Sequence, residues 1–443
     1  RRTLHSSSVP RQGQWSSVGI SVILGHADSI LGRSLHALQV AAPREQGQTA
    51  DSSALRVALV VALAHGLTDA YQSFVPPLLP RIMDDLGLSI TLAATLAVTF
   101  SVAGALPQPL FGYLADRLGR RGFAVAGPLV AGVFVASIGF APTFLVLVLL
   151  LTVGGLGSAA FHPSGASYAV RVSEGKGGGT RYSIFAFGGA FGFAVGPIAA
   201  VSLVQWRGME GTWIAMIPVV LLAPLIYFGL PKTTPRTSRD VALLPRPGAV
   251  FTQLRGPLGL MFGISATMAY AQRTFMTMEP IIVADAGGSE TLGAVALSVY
   301  LGAQSLGMVT GGLLADRMNR RTLLLHICLW ALPAHLAAVW LGPESLVGLI
   351  AIAAAGFLAL AALPPIVVMA QELMPTAAGV TSGIVMGLAW ATGSLGVLGT
   401  GALADVIGPH PATLFSMPMI ILAIGFALHP ALSSVSHPPP DLT

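Results

Sequence analysis

A few polar side chains interrupt otherwise apolar stretches of this 443-residue sequence, and their types and spacing suggest proton and ion chemistry. His65 and Asp69 are four residues apart, hence on one face of a helix, with Gln72 one turn further on. His162 stands in a separate apolar run, and Gln272 and Arg273 in a third. A histidine gains and loses its proton near neutral pH, and burial and a neighbouring imidazolium pull the proton affinity of a carboxylate in opposite senses. His65, Asp69 and His162 are therefore the candidate site for reversible proton loading. An arginine can grip a carboxylate or phosphonate through two parallel hydrogen bonds, which makes Arg273 a candidate for an anionic group. Gln72, Gln272, Tyr300, Gln304 and Trp390 are the other candidate substrate-binding residues, with Thr392 beside them. His326, His335, His410 and His429 read as packing or interfacial groups, and Glu279, next to Pro280, as an exposed rim residue or a gate.

The elements that must position these groups follow from composition. Hydrophobic residues make up 54% and charged residues 9% of the chain, and its mean hydropathy is +0.76. Soluble domains are nearer 25% charged. Such a chain cannot hide its apolar surface in one water-soluble core, but at roughly 20 apolar residues per crossing it is long enough for about a dozen spanning helices. The 52 glycines and 31 prolines fit that environment, where small residues let helices approach and neighbours satisfy the backbone groups that proline frees. Cys328 has no cysteine partner, so no redox chemistry is indicated.

Apolar runs fall at about 55–77, 90–114, 123–141, 144–170, 182–204 and 212–230 and, after a polar connection, at 257–283, 292–314, 322–341, 345–370, 377–404 and 413–428. The expected fold class is an all-α membrane protein of twelve transmembrane helices in two pseudo-symmetric six-helix halves, 54–230 and 256–430, joined by a cytoplasmic linker, 231–255. The Ser- and Arg-rich segment 1–53 reads as a disordered tail, and 431–443 as a C-terminal tail. The first methionine is Met83, so that leading segment also fits an over-extended reading frame or a cleaved piece. If the first run starts inside the cell, fourteen Lys and Arg residues lie in inner connections and two, Arg81 and Arg207, in outer ones. Positively charged connections stay on the cytoplasmic side, which puts both termini there, in the inner (plasma) membrane. The basic pI of 9.7 is thus a matter of topology, not of nucleic-acid binding.

The chain also repeats itself. Gly112-Tyr-Leu-Ala-Asp116-Arg117-Leu-Gly-Arg120-Arg121 recurs 200 residues later as Gly312-Leu-Leu-Ala-Asp316-Arg317-Met-Asn-Arg320-Arg321, each copy after the second run of its half. Duplicated halves around a midplane site are a transporter architecture. The doubled loop resembles the signature loop of the major facilitator superfamily, and His65-Gly-Leu-Thr-Asp69-Ala-Tyr-Gln72, Phe161-His162-Pro163 and the glycine-rich segment from Ser183 to Pro197 resemble the fosmidomycin resistance protein group within it. The resemblance implies a gating role for both loops and a central cavity lined by helices 1, 4, 7 and 10. It also implies efflux of a drug or metabolite driven by a proton gradient, with no cofactor and no metal, in a unit functional as a monomer whose partners are substrate, protons and the lipid bilayer. Gly188, Gly192, Gly196 and Pro197 resemble the helix 5 packing motif of the family's antiporters, although Ala200 and Val201 stand where its last glycines would be. Leu151 occupies the place before Gly155 where drug exporters of the family carry an arginine, so protons must be handled elsewhere.

Proton-coupled uptake of an organic anion is the alternative reading. A membrane-embedded enzyme is a more distant one, because two histidines and an aspartate are metal-ligand types, but the chain lacks H-E-x-x-H and G-x-S-x-G and a duplicated gating loop serves no hydrolysis. A sensor built on a transporter scaffold is the third.

Overall fold

The computed structural model describes residues 44–173, 178–232 and 252–435. The chain divides into two compact units, Arg1–Leu55 and Arg56–Thr443, and the helical bundle is the second. Of the sequence-based readings, those on 1–43, on most of the linker and on residues beyond 435 lie outside the described residues. The helix that holds His65 starts at Arg44, so the last residues of the expected disordered tail are helical.

Among the described residues, eleven helices are long and apolar enough to cross a membrane: α1 (Ser53–Leu86), α2 (Ile90–Leu118), α3 (Arg120–Phe140), α4 (Phe144–Val172), α5 (Thr180–Arg207), α6 (Met209–Gly229), α8 (Glu290–Ala315), α9 (Arg320–Leu341), α10 (Leu346–Leu373), α11 (Ala378–Ile407) and α12 (Pro409–Leu428). The twelfth, α7 (Pro257–Asp285), has 29 residues, about 43 Å of helix, and is less apolar because it carries Gln272, Arg273 and Glu279. The described residues contain no strand. The all-α membrane architecture of two six-helix halves is thus what the chain adopts.

Local chemistry sets where spans begin. Ser89, Thr143, Ser289, Asn319 and Ser345 each accept a hydrogen bond from a backbone N–H in the first turn of α2, α4, α8, α9 and α10. The two copies of the repeated loop differ for this reason. Gly119 turns the first copy at φ 98°, a conformation that favours glycine, whereas Asn319 turns the second at φ −60° and caps α9 with its side chain.

The halves meet along two helix pairs, α2 with α11 and α5 with α8. At the end remote from the repeated loops, here called the far end, Asp405 of α11 accepts hydrogen bonds from the backbone N–H groups of Ile90 (2.7 Å) and Thr91 (3.1 Å) and from the Thr91 hydroxyl (2.5 Å). A carboxylate there answers the partial positive charge at the N-terminus of α2. Gln205 of α5 donates to Thr291 of α8 at 2.8 Å, and Arg81 lies 3.7 Å from Glu290. Deeper, Ser101 and Ser394 are hydrogen-bonded at 2.7 Å. Toward the basic end the last segment of α2, Gln108–Leu118, packs on α3 and α4 of its own half. Cross-half contact is therefore concentrated at the far end.

Candidate functional site

Backbone contact between α1 and α5 builds the first part of the site. A Cβ on Gly188 would stand 2.3 Å from the Ala62 carbonyl oxygen, one on Gly192 1.8 Å from that of Gly66, and one on Gly196 2.4 Å from that of Ala70. Glycine at these three positions lets the two backbones touch. Gly189 makes room for a ring, since a Cβ there would lie 2.3 Å from Cε1 of His65. The imidazole fills that space, stacked on Phe185 with ring centroids 4.3 Å apart.

His65 Nδ1 lies 3.0 Å from the Phe185 carbonyl oxygen. A carbonyl can only accept, so Nδ1 carries the hydrogen. The opposite nitrogen, Nε2, faces Asp69 Oδ2 at 3.2 Å. A bare Nε2 against a bare carboxylate would set two lone pairs against each other, so a proton is shared along this edge. His162 of α4 closes the cluster from the other side, with Nε2 3.4 Å from Asp69 Oδ1, and the two imidazoles stand edge to face at 5.5 Å. The Gln72 amide nitrogen lies 2.8 Å from His162 Nε2, 2.8 Å from Ser158 Oγ and 3.3 Å from Asp69 Oδ1. Two amide hydrogens face three acceptors, so a proton arriving at His162 displaces one of these bonds. Side chains of the trio are 15–21% exposed, enough for water to reach them.

One ligand-type atom from each of His65, Asp69 and His162 lies within 4.8 Å of the others, close enough for a metal ion to bridge them. In the observed arrangement, however, His162 Nε2 is approached by the Gln72 amide at 2.8 Å and His65 Nε2 is turned to the Asp69 carboxylate at 3.2 Å. The cluster is organised by hydrogen bonds.

Gln72 also lines a small cavity of about 20 Å³ between the halves, together with Val75 and Pro76 of α1, Ser101 of α2, Arg273 and Met276 of α7 and Ser394 of α11. Arg273 makes no ion pair with a carboxylate among the described residues. Its guanidinium carbon is 5.8 Å from the centre of the Trp390 ring, and its Nε has no hydrogen-bond partner.

Three expected cavity residues are elsewhere. Gln272, Tyr300 and Gln304 are 3%, 0% and 1% exposed and lie inside the second half, because their helix faces turn toward α8 and α9 and away from the central space. Gln272 donates to Gln304 at 2.9 Å, and Tyr300 stacks on Phe275 and donates to His335 Nε2 at 3.0 Å. His335 gives its Nδ1–H to the Ala331 carbonyl at 2.8 Å, so this group is neutral and satisfied. Glu279 is also buried, not a rim residue. Phe185 lies in the glycine-rich segment that carries the resemblance, but neither its contact with His65 nor the part of Ser158 has a signal in the sequence, because both depend on which helices touch.

At the repeated loops, Gly112 and Gly312 sit against Pro163 and Pro364. Asp116 pairs with Arg120, Arg117 lies over the Tyr113 ring at 4.9 Å and Arg121 over Tyr227 of α6 at 3.9 Å. In the second copy Arg320 pairs with Glu372 of α10, and Arg321 donates to the Ala427 and Leu428 carbonyls at the end of α12, while Asp316 and Arg317 are exposed.

The model of the Major Facilitator Superfamily matches residues 61–385. The chain belongs to that family. It is a multi-pass membrane transporter. A transporter of Bacillus subtilis, YfnC, is 25% identical over 87% of this chain and 96% of its own length. The fosmidomycin resistance protein of Escherichia coli is 27% identical over 78% of this chain and 85% of its own. Among solved structures, a bacterial homologue of the human lysosomal transporter Spinster superposes with a TM-score of 0.72 at 16% identity, covering 86% of this chain and 97% of that one.

Proposed function

We propose that this major facilitator superfamily member is a proton-driven exporter of a small organic solute with an anionic group, working by alternating access as a monomer in the plasma membrane. The observation that carries the reading is the His65–Asp69–His162 cluster, in which both imidazoles face the Asp69 carboxylate at 3.2–3.4 Å, with Gln72 belonging both to the cluster and to the cavity wall. A solute that engages the Gln72 amide withdraws it from His162 and Asp69, and a proton that lands on His162 turns the amide away, so solute and proton oppose each other at one residue. Arg273 and the Trp390 face supply the anion subsite. The name of the Escherichia coli relative, a resistance protein, supports export of an antibiotic-like molecule. The arginines of the repeated loops put that end, and both termini, in the cytoplasm, and the gating loops there would release their contacts as the halves rock.

The experiment is a resistance-profile screen in an efflux-deficient host, followed by flux measurements on the solute it identifies. Asp69→Asn keeps the shape of the group and removes its titration. The reading requires that this variant lose uphill transport and its pH dependence while solute counterflow survives. Unaltered uphill transport would sink it. Arg273→Lys separates the subsite, since it should weaken anionic solutes and spare neutral ones.

Uptake of an organic anion together with protons is favoured by one further observation. Arg273 lines the same cavity as Gln72, whose amide lies 3.3 Å from Asp69, so the two charges stand on neighbouring sides of one space. An anion that neutralises Arg273 makes a proton on the Asp69 cluster easier to hold, which is the sign of cotransport. The direction of flux under an imposed pH gradient in vesicles decides between the two.

A further inference from the structure

Glu279 stands in the wall of the second half, and none of the chemistry above uses it. It lies six residues before the end of α7 at Asp285 and is 1% exposed. Neither carboxyl oxygen has a hydrogen-bond partner, and among the described residues it makes no ion pair. Gln272, Phe275 and Glu279 follow one another at i, i+3 and i+7, along one face of the helix. Gln272 is bonded to Gln304 and Phe275 is stacked on Tyr300, so this face is turned to α8.

Of the titratable groups on the elements packed around this stretch, Arg81 is engaged with Glu290, Tyr300 with His335, His410 with the Val339 carbonyl and Asp405 with the start of α2, while Asp84 and Asp85 are exposed. Glu344, exposed in the connection between α9 and α10, carries a charge of the same sign. An ionised carboxylate with no donor and no counter-charge in an apolar wall is strongly unfavourable, whereas the neutral acid is tolerated. The next residue, Pro280, has no N–H to give to the Met276 carbonyl, which leaves α7 free to bend there.

We propose that Glu279 is a second proton-binding site, separate from the first-half cluster, which keeps its proton while the far end is closed and gives it to water when that end opens by bending of α7 at Pro280. The step is a simple transfer: the O–H bond of the neutral acid breaks, water takes the proton, and the carboxylate is left facing solvent. The cluster on α1 and α4 and Glu279 on α7 thus belong to opposite halves and exchange protons with different sides.

Infrared difference spectroscopy on the purified full-length protein at neutral pH tests this without any substrate. The carbonyl stretch of a neutral carboxylic acid is expected in the wild type, absent in Glu279→Gln, retained in Asp69→Asn and shifted but present in Glu279→Asp, the last guarding against a folding failure of the glutamine variant. Labelling by dicyclohexylcarbodiimide, which adds to buried neutral carboxyls, should mark the peptide that holds Glu279. Identical spectra for wild type and Glu279→Gln would overturn the site. The release step is read in Asp405→Ala, which removes the cap that holds α2 to α11 at the far end. Loss of the band there is expected, and its persistence would overturn release on opening. Either result leaves the His65–Asp69–His162 reading untouched, because that reading rests on Asp69.

Discussion

The two halves place polar side chains at matching positions and use them differently. His65 gives its Nδ1–H to the Phe185 carbonyl, and Ser265, 200 residues on, gives its hydroxyl to the Val385 carbonyl, also 200 residues on. Gln72 corresponds in the same way to Gln272. In the first half this frame carries Asp69 and His162, with partial access to water. In the second half Ala269 stands 200 residues from Asp69, and Leu363 precedes Pro364 as His162 precedes Pro163. There the matching glutamine bonds Gln304 in a dry interior. The two halves share this frame where it holds helices together, and their titratable groups lie at different depths. Charge next to water can change state, whereas a sealed neutral pair such as Gln272–Gln304 mainly fixes packing.

The widest separation between the halves should come from Asp69→Asn, expected to abolish uphill transport, against Gln304→Leu, expected to leave it intact; parallel flux assays with an imposed pH gradient compare them. Next is Gly189→Ala. Its methyl would meet the His65 ring, so displacement of the imidazole should cost about 1–3 kcal/mol of stability as overpacking does and remove the pH dependence of transport, read by thermal unfolding and by flux against pH. Ala389 is the position 200 residues later, and Ala389→Gly should leave pH dependence unchanged. Gln72→Leu and Gln272→Leu sharpen the contrast further. The first should uncouple solute from proton, seen as solute binding that no longer varies with pH. The second should cost about 1 kcal/mol for a lost buried hydrogen bond and leave pH dependence as it was. Smallest is Ser265→Ala, about 0.6 kcal/mol, the average for a hydrogen bond between helices in a membrane, measured as a slight drop in melting temperature.

The spans, the halves and the duplicated loop were legible because membrane solvation leaves a strong mark: long apolar runs, arginines confined to connections and a motif repeated at constant offset. The trio of His65, Asp69 and His162 was legible for a related reason, since ionisable groups in such runs are costly and few. Which way a side chain turns was not. Tyr300 and Gln304 sit in α8 with the same composition around them whether they face the cavity or the neighbouring helices α9 and α7, and the packing of those helices on α8 decides it. Glu279, near a helix end beside proline, reads from the sequence as an exposed rim residue or a gate, and neighbouring elements cover that end. The Phe185 carbonyl fixes the tautomer of His65, and a backbone group carries no sequence signature. Asp405 joins helices more than 300 residues apart in the chain, which local reading does not link.

The contact of α1 with α5 at Gly188, Gly192 and Gly196 has a consequence for the lipid around the protein. Backbones this close leave no side-chain cushion, so the pair can neither slide nor rotate without collision. Mismatch between the protein and the thickness of the bilayer is then taken up by tilting of the first half as a block. Bilayers of different acyl-chain length are therefore expected to shift the balance between the two access states while leaving the proton cluster, which rides inside that block, geometrically unchanged.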